Sequence, residues 1–130
     1  MSANAIATRH FHLGDVLTVT TGRLLSPRHI EGLYDILNYL HSDNLFTHQL
    51  PRASDDAKPF LFEQHPHLKS VDDSGVTSDN WRDWLAEQVA NFGETLPVSP
   101  IPRAAELHRD PMAELQEMVG DKPIIVAGAE

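Results

Sequence analysis

An apolar stripe with helical spacing runs along residues 30–40 of this 130-residue chain. Its members lie three or four positions apart and are Ile30, Leu33, Tyr34, Leu37 and Leu40. Residues at this spacing share one face of an α-helix, so the stripe must be buried against other elements. Ser26 followed by Pro27 is typical of a helix start, because Ser caps the first turn and Pro needs no N–H there. The pattern predicts a long helix that begins at Ser26 and ends at about His41.

A second stripe with helical spacing lies in the later half of the chain. It consists of Trp81, Trp84, Leu85, Val89 and Phe92. Ser78 fits the N-cap of this helix, and Gly93 fits its end. Two tryptophans one turn apart could stack on a base or on a partner, but beside Leu85 and Val89 they are more typical of a core. The two stripes predict a fold that is built around two principal helices.

The segment 13–22 predicts a shorter helix. Asp15 fits its N-cap, and Gly22 can take the left-handed conformation that often follows a helix end. The β-branched run at 16–21 would also suit a strand, so both structures stay open.

Proline residues divide the remaining chain into short pieces. We expect Pro51 to end the turn that precedes it, residues 53–56 to form a surface turn, and residues 59–64 to form a short helix. A proline at the first helical position also starts the last predicted helix, at 111–119. No internal repeat is found in the sequence.

The strongest strand pattern lies at 122–127, and its expected partner is the extended segment 96–98. The chain is therefore predicted to form a single domain, 1–130, of the α+β class. Three or more helices would pack with a small two- or three-stranded sheet from the C-terminal third.

The net charge of −9 is unevenly distributed along the chain. Residues 1–52 carry four basic and four acidic residues, whereas residues 53–130 carry six basic and fifteen acidic ones. An acidic half argues against direct binding of nucleic acid, which requires Lys and Arg to neutralise phosphates. It suits an acidic face that meets a basic partner, although acidity also serves solubility alone.

The absence of cysteine excludes disulfides, thiolate nucleophiles and cysteine-based metal sites. The first twelve residues contain no basic segment followed by an apolar run, so no signal peptide is expected. No apolar stretch approaches the roughly 20 residues that a membrane span requires. These observations predict a soluble protein of the cytoplasm.

A polar stretch, 41–52, begins at the predicted end of the first principal helix, and its candidate residues lie in the polar segment 43–52. It combines imidazole, carboxylate, amide, hydroxyl and guanidinium groups with Leu45, Phe46 and Leu50. We expect the apolar side chains to tuck beneath the segment and hold it still, which lowers the cost of binding. The candidate binding residues are Asp43, Asn44, Thr47, His48, Gln49 and Arg52.

Three interpretations of the polar segment stay open. In an active site, His48 would be a general base oriented by Asp43. Asn44, Gln49 and Arg52 would then bind a polar or anionic group. No serine or threonine lies in a context that activates a nucleophile, so no catalytic residue is assigned. A rigid polar loop with a binding or architectural role, in which side chains cap turns and bind backbone groups, is favoured.

Two histidine pairs raise the question of a metal site. His10 and His12, like His65 and His67, are two positions apart, which puts both rings on one face of an extended segment. Neither pair has the spacing of a known zinc motif, and no carboxylate lies at a diagnostic offset. The glycine-rich motifs that bind phosphates are absent as well. We therefore expect neither a metal nor a cofactor.

Five segments of the chain, 13–24, 34–38, 43–53, 111–115 and 123–126, carry a family resemblance. The most specific is D-N-L-F-T-H-Q-L-P-R-A at 43–53. The chain resembles a family of uncharacterised proteins, defined by a domain of unknown function, that phages, prophages and other mobile elements encode. This resemblance implies a small, soluble accessory protein made in a bacterial host, and it implies no catalytic residues.

Our leading expectation is a non-enzymatic phage or prophage accessory protein in the cytoplasm of a bacterial host. It would bind a host protein through an acidic surface, as a counter-defence or regulatory inhibitor does. The partner could itself bind nucleic acid, whereas this chain would contact neither nucleic acid nor a membrane.

Two other classes of function remain open. The first is a small-ligand-binding protein or an enzyme. Its site would consist of Asp43, His48, Gln49 and Arg52. The second is a homo-oligomeric structural protein.

Overall fold

The computed structural model describes residues 8–119, which form a mainly helical α+β fold. Within these residues lie five α-helices, α1 (Leu13–Thr21), α2 (Ile30–His41), α3 (Leu50–Gln64), α4 (Trp81–Phe92) and α5 (Pro111–Val119). Two strands are also present, β1 (Arg9–His12) and β2 (Thr95–Val98), together with 3-10 helices at Thr47–Gln49, Pro66–Ser70 and Ala104–Leu107. The predicted fold class is confirmed at this level. No helix within residues 8–119 has the length and apolarity that a bilayer crossing requires.

The sheet consists of β1 and β2, which pair in antiparallel orientation. Arg9 lies opposite Val98, and His12 lies opposite Thr95. The extended segment 96–98 is thus a strand, but the prediction that the whole sheet comes from the C-terminal third is wrong. Phe11 is the single apolar residue of β1, so the strand has no alternating pattern to reveal it. The predicted strand at 122–127 lies outside the described residues.

α3 is one continuous helix of 15 residues. The sequence predicts three separate features in the same range, namely a stop at Pro51, a surface turn at 53–56 and a short helix at 59–64. Pro51 lies in its first turn, where no N–H partner is needed, so the predicted stop there is wrong. The predicted surface turn at 53–56 is wrong as well, because Ala53, Ala57 and Leu61 are buried at helical spacing. Pro59 lies inside the helix on its exposed side, where water can satisfy the carbonyl group that the proline leaves unpaired.

α1 confirms a helix at 13–22 and shows that its expected cap is wrong. His12 is the N-cap, because its Nδ1 accepts a hydrogen bond from the Gly14 N–H at 2.9 Å. Asp15 lies inside the first turn and is buried, where it binds the side chains of Ser26 and Arg28. Gly22 ends the helix with φ of 80°, as expected.

α2 ends at His41, as predicted, but starts four residues later than Ser26. Ser26 caps a separate turn, in which its Oγ accepts a hydrogen bond from the Arg28 N–H at 3.0 Å. Ile30 is the first residue of the helix and is 43% exposed, so the buried stripe begins only after it.

α4 also starts later than predicted. Ser78 is not its N-cap, because Thr77 and Asn80 close a turn in which the Thr77 N–H donates to Asn80 Oδ1 at 2.7 Å. The helix then begins at Trp81 and ends before Gly93, as expected.

α1 lies at the centre of the fold and packs against α2, α3 and α4. Its own contribution to the interior includes Leu13, Val16, Leu17 and Val19. Side chains from the other elements complete the core, among them Phe11, Ile36, Leu37, Leu40, Leu61 and Val98. Trp81 and Trp84 are half-buried and pack against this core, as expected. The polar segment and the exposed side of α4 are thereby held on a fixed frame.

Candidate functional site

The polar segment 43–52 leaves α2 through a sharp reversal and leads into α3. Ser42 makes the reversal in the left-handed conformation, with φ of 51°. Leu45 and Leu50 are buried beneath the segment, which confirms their expected role. Phe46 is 58% exposed, so its expected burial is wrong. The reason is local: Phe46 immediately precedes the 3-10 helix Thr47–Gln49, and its position there turns it outward.

Gln49 is buried, and its amide is fully used inside the protein. Its Oε1 accepts a hydrogen bond from the Phe46 N–H at 3.0 Å. Its Nε2 donates to the Arg109 carbonyl oxygen at 3.0 Å and to Glu114 Oε1 at 2.9 Å. The side chain therefore joins the polar segment to α5 and leaves no polar atom for a ligand.

Arg52 forms the ionic part of the same connection. Its Nε and Nη2 donate to the two oxygens of Glu114 at 2.9 and 3.0 Å, the paired geometry that guanidinium and carboxylate groups favour. Its Nη1 donates to Asp56 Oδ2 at 3.0 Å. The hydrogen bonds from Arg52 lower the pKa of Glu114 to about 2, against the opposing effect of burial. We call the set Gln49, Arg52 and Glu114 the α5 latch.

Asp43 and His48 contact the same C-terminal stretch. Asp43 Oδ2 lies 2.7 Å from His108 Nδ1, and its Oδ1 accepts from the Asn44 N–H at 2.8 Å. Burial raises the pKa of Asp43, but the bonds from His108 and Asn44 outweigh it, so the pKa falls below its ordinary value. His48 Nε2 donates to the Pro111 carbonyl oxygen at 2.8 Å. Both residues thus hold the start of α5.

The six predicted binding residues divide into two groups. Asp43, His48, Gln49 and Arg52 converge on residues 107–114 of the same chain. Thr47 hydrogen-bonds the Tyr34 hydroxyl, and the Asn44 side chain is exposed. An open cleft of about 440 Å³ borders His48 and Arg52, but both side chains already have partners. This geometry suits an architectural role, and the binding of an external ligand stays a prediction.

Sequence reasoning missed the other side of this contact. Glu114 is the buried residue of α5. By helical spacing it shares a face with Pro111, Leu115 and Met118, which are all apolar. A charged residue on an apolar helix face is the signal that could have revealed it, because such a residue needs a buried partner.

A second polar cluster was also missed, and it ties α1 to α2. Asp15 is fully buried and hydrogen-bonds the Ser26 hydroxyl, while Arg28 Nη2 donates to Asp15 Oδ2 at 2.5 Å. Arg28 also binds Asp35 Oδ2 at 3.0 Å, and Arg9 binds both oxygens of Asp35 at 2.9 and 2.6 Å. Every charge in this cluster has an opposite partner, so its role is structural.

The histidine pairs do not gather further ligands. The His65 and His67 rings lie 5.8 Å apart, but His65 Nε2 binds the Pro97 carbonyl oxygen at 2.6 Å. His12 uses its Nδ1 to cap α1. Within residues 8–119 no three side chains of His, Cys, Asp or Glu come together as a metal site would require.

The outer side of α4 carries charges that no residue of the described part neutralises. Asp83 and Glu87 are exposed on α4, and Asp79 is exposed in the turn that precedes the helix. None of the three side chains makes a hydrogen bond or ion pair within residues 8–119. We call these three residues the acidic stripe. The sequence predicts an excess of acid in this half of the chain but does not locate it at α4.

An apolar groove of about 390 Å³ lies beside the acidic stripe. Trp81, Leu85 and Val89 of α4 form one wall, and Pro27 of the α1–α2 connection faces them. We call it the Trp81 groove.

Acidification is expected to weaken the attachment of α5. The carboxyl group of Glu114 has a pKa of about 2 in the folded protein, against an ordinary 4.5. Its contribution, about 3 kcal/mol at most, is therefore complete above pH 4.5 and is lost as the pH falls towards 2. Amide exchange in α5, followed from pH 6 to pH 3, measures this change. In Glu114→Gln the pH dependence should be smaller, and an unchanged dependence would contradict the assignment to Glu114.

Comparison with family models identifies one match. A domain of unknown function (DUF7736) is found at residues 11–71. The matched range includes α1, α2, the polar segment and α3, whereas α4 and α5 lie beyond it. Curated proteins and solved structures give no match.

Proposed function

We propose that this chain is a non-enzymatic accessory protein of a phage or prophage that binds a basic host protein through the acidic stripe. The resemblance to proteins of mobile elements supports the bacterial host and its cytoplasm as the setting. A host protein that normally binds nucleic acid has the matching charge, since its own surface must neutralise phosphates. Binding there would block that surface, as a counter-defence or regulatory inhibitor requires.

The observation that carries this proposal is the unpaired state of the acidic stripe. The buried acids Asp15 and Glu114 have cationic partners within the fold, whereas exposed acids such as Asp55, Glu63 and those of the stripe have none within residues 8–119. Asp83 and Glu87 lie one turn apart on α4, where two like charges destabilise a helix by about 0.2–0.5 kcal/mol. The stability of the helix therefore does not explain the acidic stripe. A cationic partner would relieve the repulsion between the acids, and this relief would favour binding.

An enzyme or ligand-binding protein built on the polar segment has less support. Asp43, His48, Gln49 and Arg52 all bind residues 107–114 or their neighbours in the fold. A substrate would have to displace these contacts before it could use the side chains.

Neutralising part of the acidic stripe is expected to weaken partner binding about fivefold to tenfold. The double variant Asp83→Asn/Glu87→Gln removes two exposed charges from α4, each worth up to about 1 kcal/mol at an interface rim. The matched control Asp55→Asn/Glu63→Gln removes two exposed acids from α3. Affinity capture from bacterial lysate at low salt, quantified for the three proteins, is the measurement.

We expect the wild type and the α3 variant to retain a common captured protein that the α4 variant loses. The absence of any enriched protein at low salt would contradict the proposal. Equal losses in the two double variants would also contradict it, because net charge alone would then account for the binding.

A further inference from the structure

We infer that the Trp81 groove receives one apolar side chain from a Lys- or Arg-rich segment of the partner. This inference rests on the proposed function, because the cations of that segment would lie over the acidic stripe. It adds the chemistry of the bound segment: an anchor the size of leucine, with cations about one helical turn away on either side.

The groove is suited to a single anchor because its walls are apolar and fixed. Trp81, Leu85 and Val89 recur at four-residue intervals and pack against the core from the same helix face. The Trp81 ring is held between two neighbours, since the His29 ring centroid is 6.5 Å away and the Arg82 guanidinium lies 4.6 Å from the ring centroid. A preformed apolar pocket of this kind is where interface anchors contribute most binding energy.

The edge of the groove meets the acidic stripe at Ala86. Ala86 lines the groove, and Asp83 is its neighbour one turn earlier on α4. Glu87 follows Ala86 directly, and Glu94 also lines the groove. Arg82 is the cation at this edge, so acids outnumber it three to one. This charge favours a cationic segment and disfavours an acidic peptide, nucleic acid or an anionic membrane surface.

His12 adds a polar group to the lining of the groove. Its Nδ1 accepts the Gly14 N–H, so the hydrogen of the neutral ring is on Nε2. Nε2 donates to no group within residues 8–119, and His12 lines the groove. It can therefore donate to a backbone carbonyl oxygen of the bound segment.

Two synthetic peptides test this inference. Both contain seven residues that alternate lysine and arginine around a central position, which is leucine in one peptide and serine in the other. Calorimetric titration of the full chain at low salt measures both affinities. We expect the leucine peptide to bind about tenfold more tightly, because the apolar leucine side chain is transferred from water into the apolar groove.

A pair of variants locates the effect. Ala86→Gln extends a polar side chain over the mouth of the groove and should reduce the tenfold preference to about twofold or less. Ala90→Gln makes the same change one turn further along α4, outside the groove, and should retain the preference.

Each outcome separates this inference from the proposed function. Equal affinities of the wild type for the two peptides would overturn the groove and leave the acidic stripe standing. A tenfold preference that persists in Ala86→Gln would also overturn the groove. No binding of either peptide at low salt would overturn both proposals.

Discussion

Replacement of Gly32 with alanine is expected to lower the free energy of unfolding by about 3 kcal/mol. A Cβ at this position would lie 2.5 Å from Asp15 Oδ1 and closer still to the Ser26 hydroxyl. Both atoms belong to the buried cluster that ties α1 to α2, and neither can move away without losing its own hydrogen bond. The new methyl group therefore displaces a buried charge from its partners, which costs more than ordinary overpacking.

Chemical denaturation of the wild type and of Gly32→Ala measures the difference in the free energy of unfolding. A substitution at Gly75 is the control. A Cβ at Gly75 would meet no atom within 4 Å, so Gly75→Ala should leave stability nearly unchanged. Equal midpoints for Gly32→Ala and Gly75→Ala would show that the Asp15 cluster does not have the packing described.

Replacement of Glu114 with alanine is expected to detach α5 from the body of the protein. The change leaves the partly buried Arg52 guanidinium and the buried Gln49 amide without the Glu114 carboxylate as acceptor, a loss of about 3 kcal/mol. α5 has nine residues, and helices of that length are unstable in water without tertiary contacts. The α5 latch is therefore needed for the helix itself as well as for its position.

Hydrogen exchange at the amides of α5 is the measurement for this variant. We expect protection there to fall about a hundredfold, while protection in α1 and α2 changes little. Glu117→Ala is the control, because Glu117 is an exposed residue whose partner Arg109 lies on the surface. Similar exchange in the two variants would contradict the role given to the latch.

The secondary structure that the sequence predicted well has strong local signals. The end of α2 at His41 and the glycine after α1 follow from apolar spacing and from the left-handed conformation of Gly22. α3 was divided incorrectly because Pro51 and Pro59 usually break helices. The buried face of Ala53, Ala57 and Leu61 overrides them, and that burial exists only once α1 and α2 are in place.

The candidate site shows a different limit of sequence reasoning. The sequence predicts a rigid polar loop with a binding or architectural role, and the contacts of Gln49 and Arg52 suit the architectural one. Their shared partner, Glu114, could not be predicted, because it lies more than sixty positions away along the chain. Asp15 illustrates the same limit, since its cap-like position beside a helix start hid its role as a buried partner of Arg28.

Two surfaces of the protein differ in their chemistry. Asp43, His48, Gln49 and Arg52 of the polar segment already have partners in the fold, whereas the acidic stripe and the Trp81 groove present unpaired charge next to accessible apolar surface. A partner gains more from the second surface, because nothing there must be displaced first.

The most direct test is a two-dimensional amide NMR titration of the full chain with the leucine peptide at low salt. We predict chemical-shift changes at the Trp81 indole N–H, at the amides of α4 and at His12. Little change is expected at residues 43–52. Shifts that cluster on residues 43–52 and 107–114, or that appear nowhere, would contradict the account.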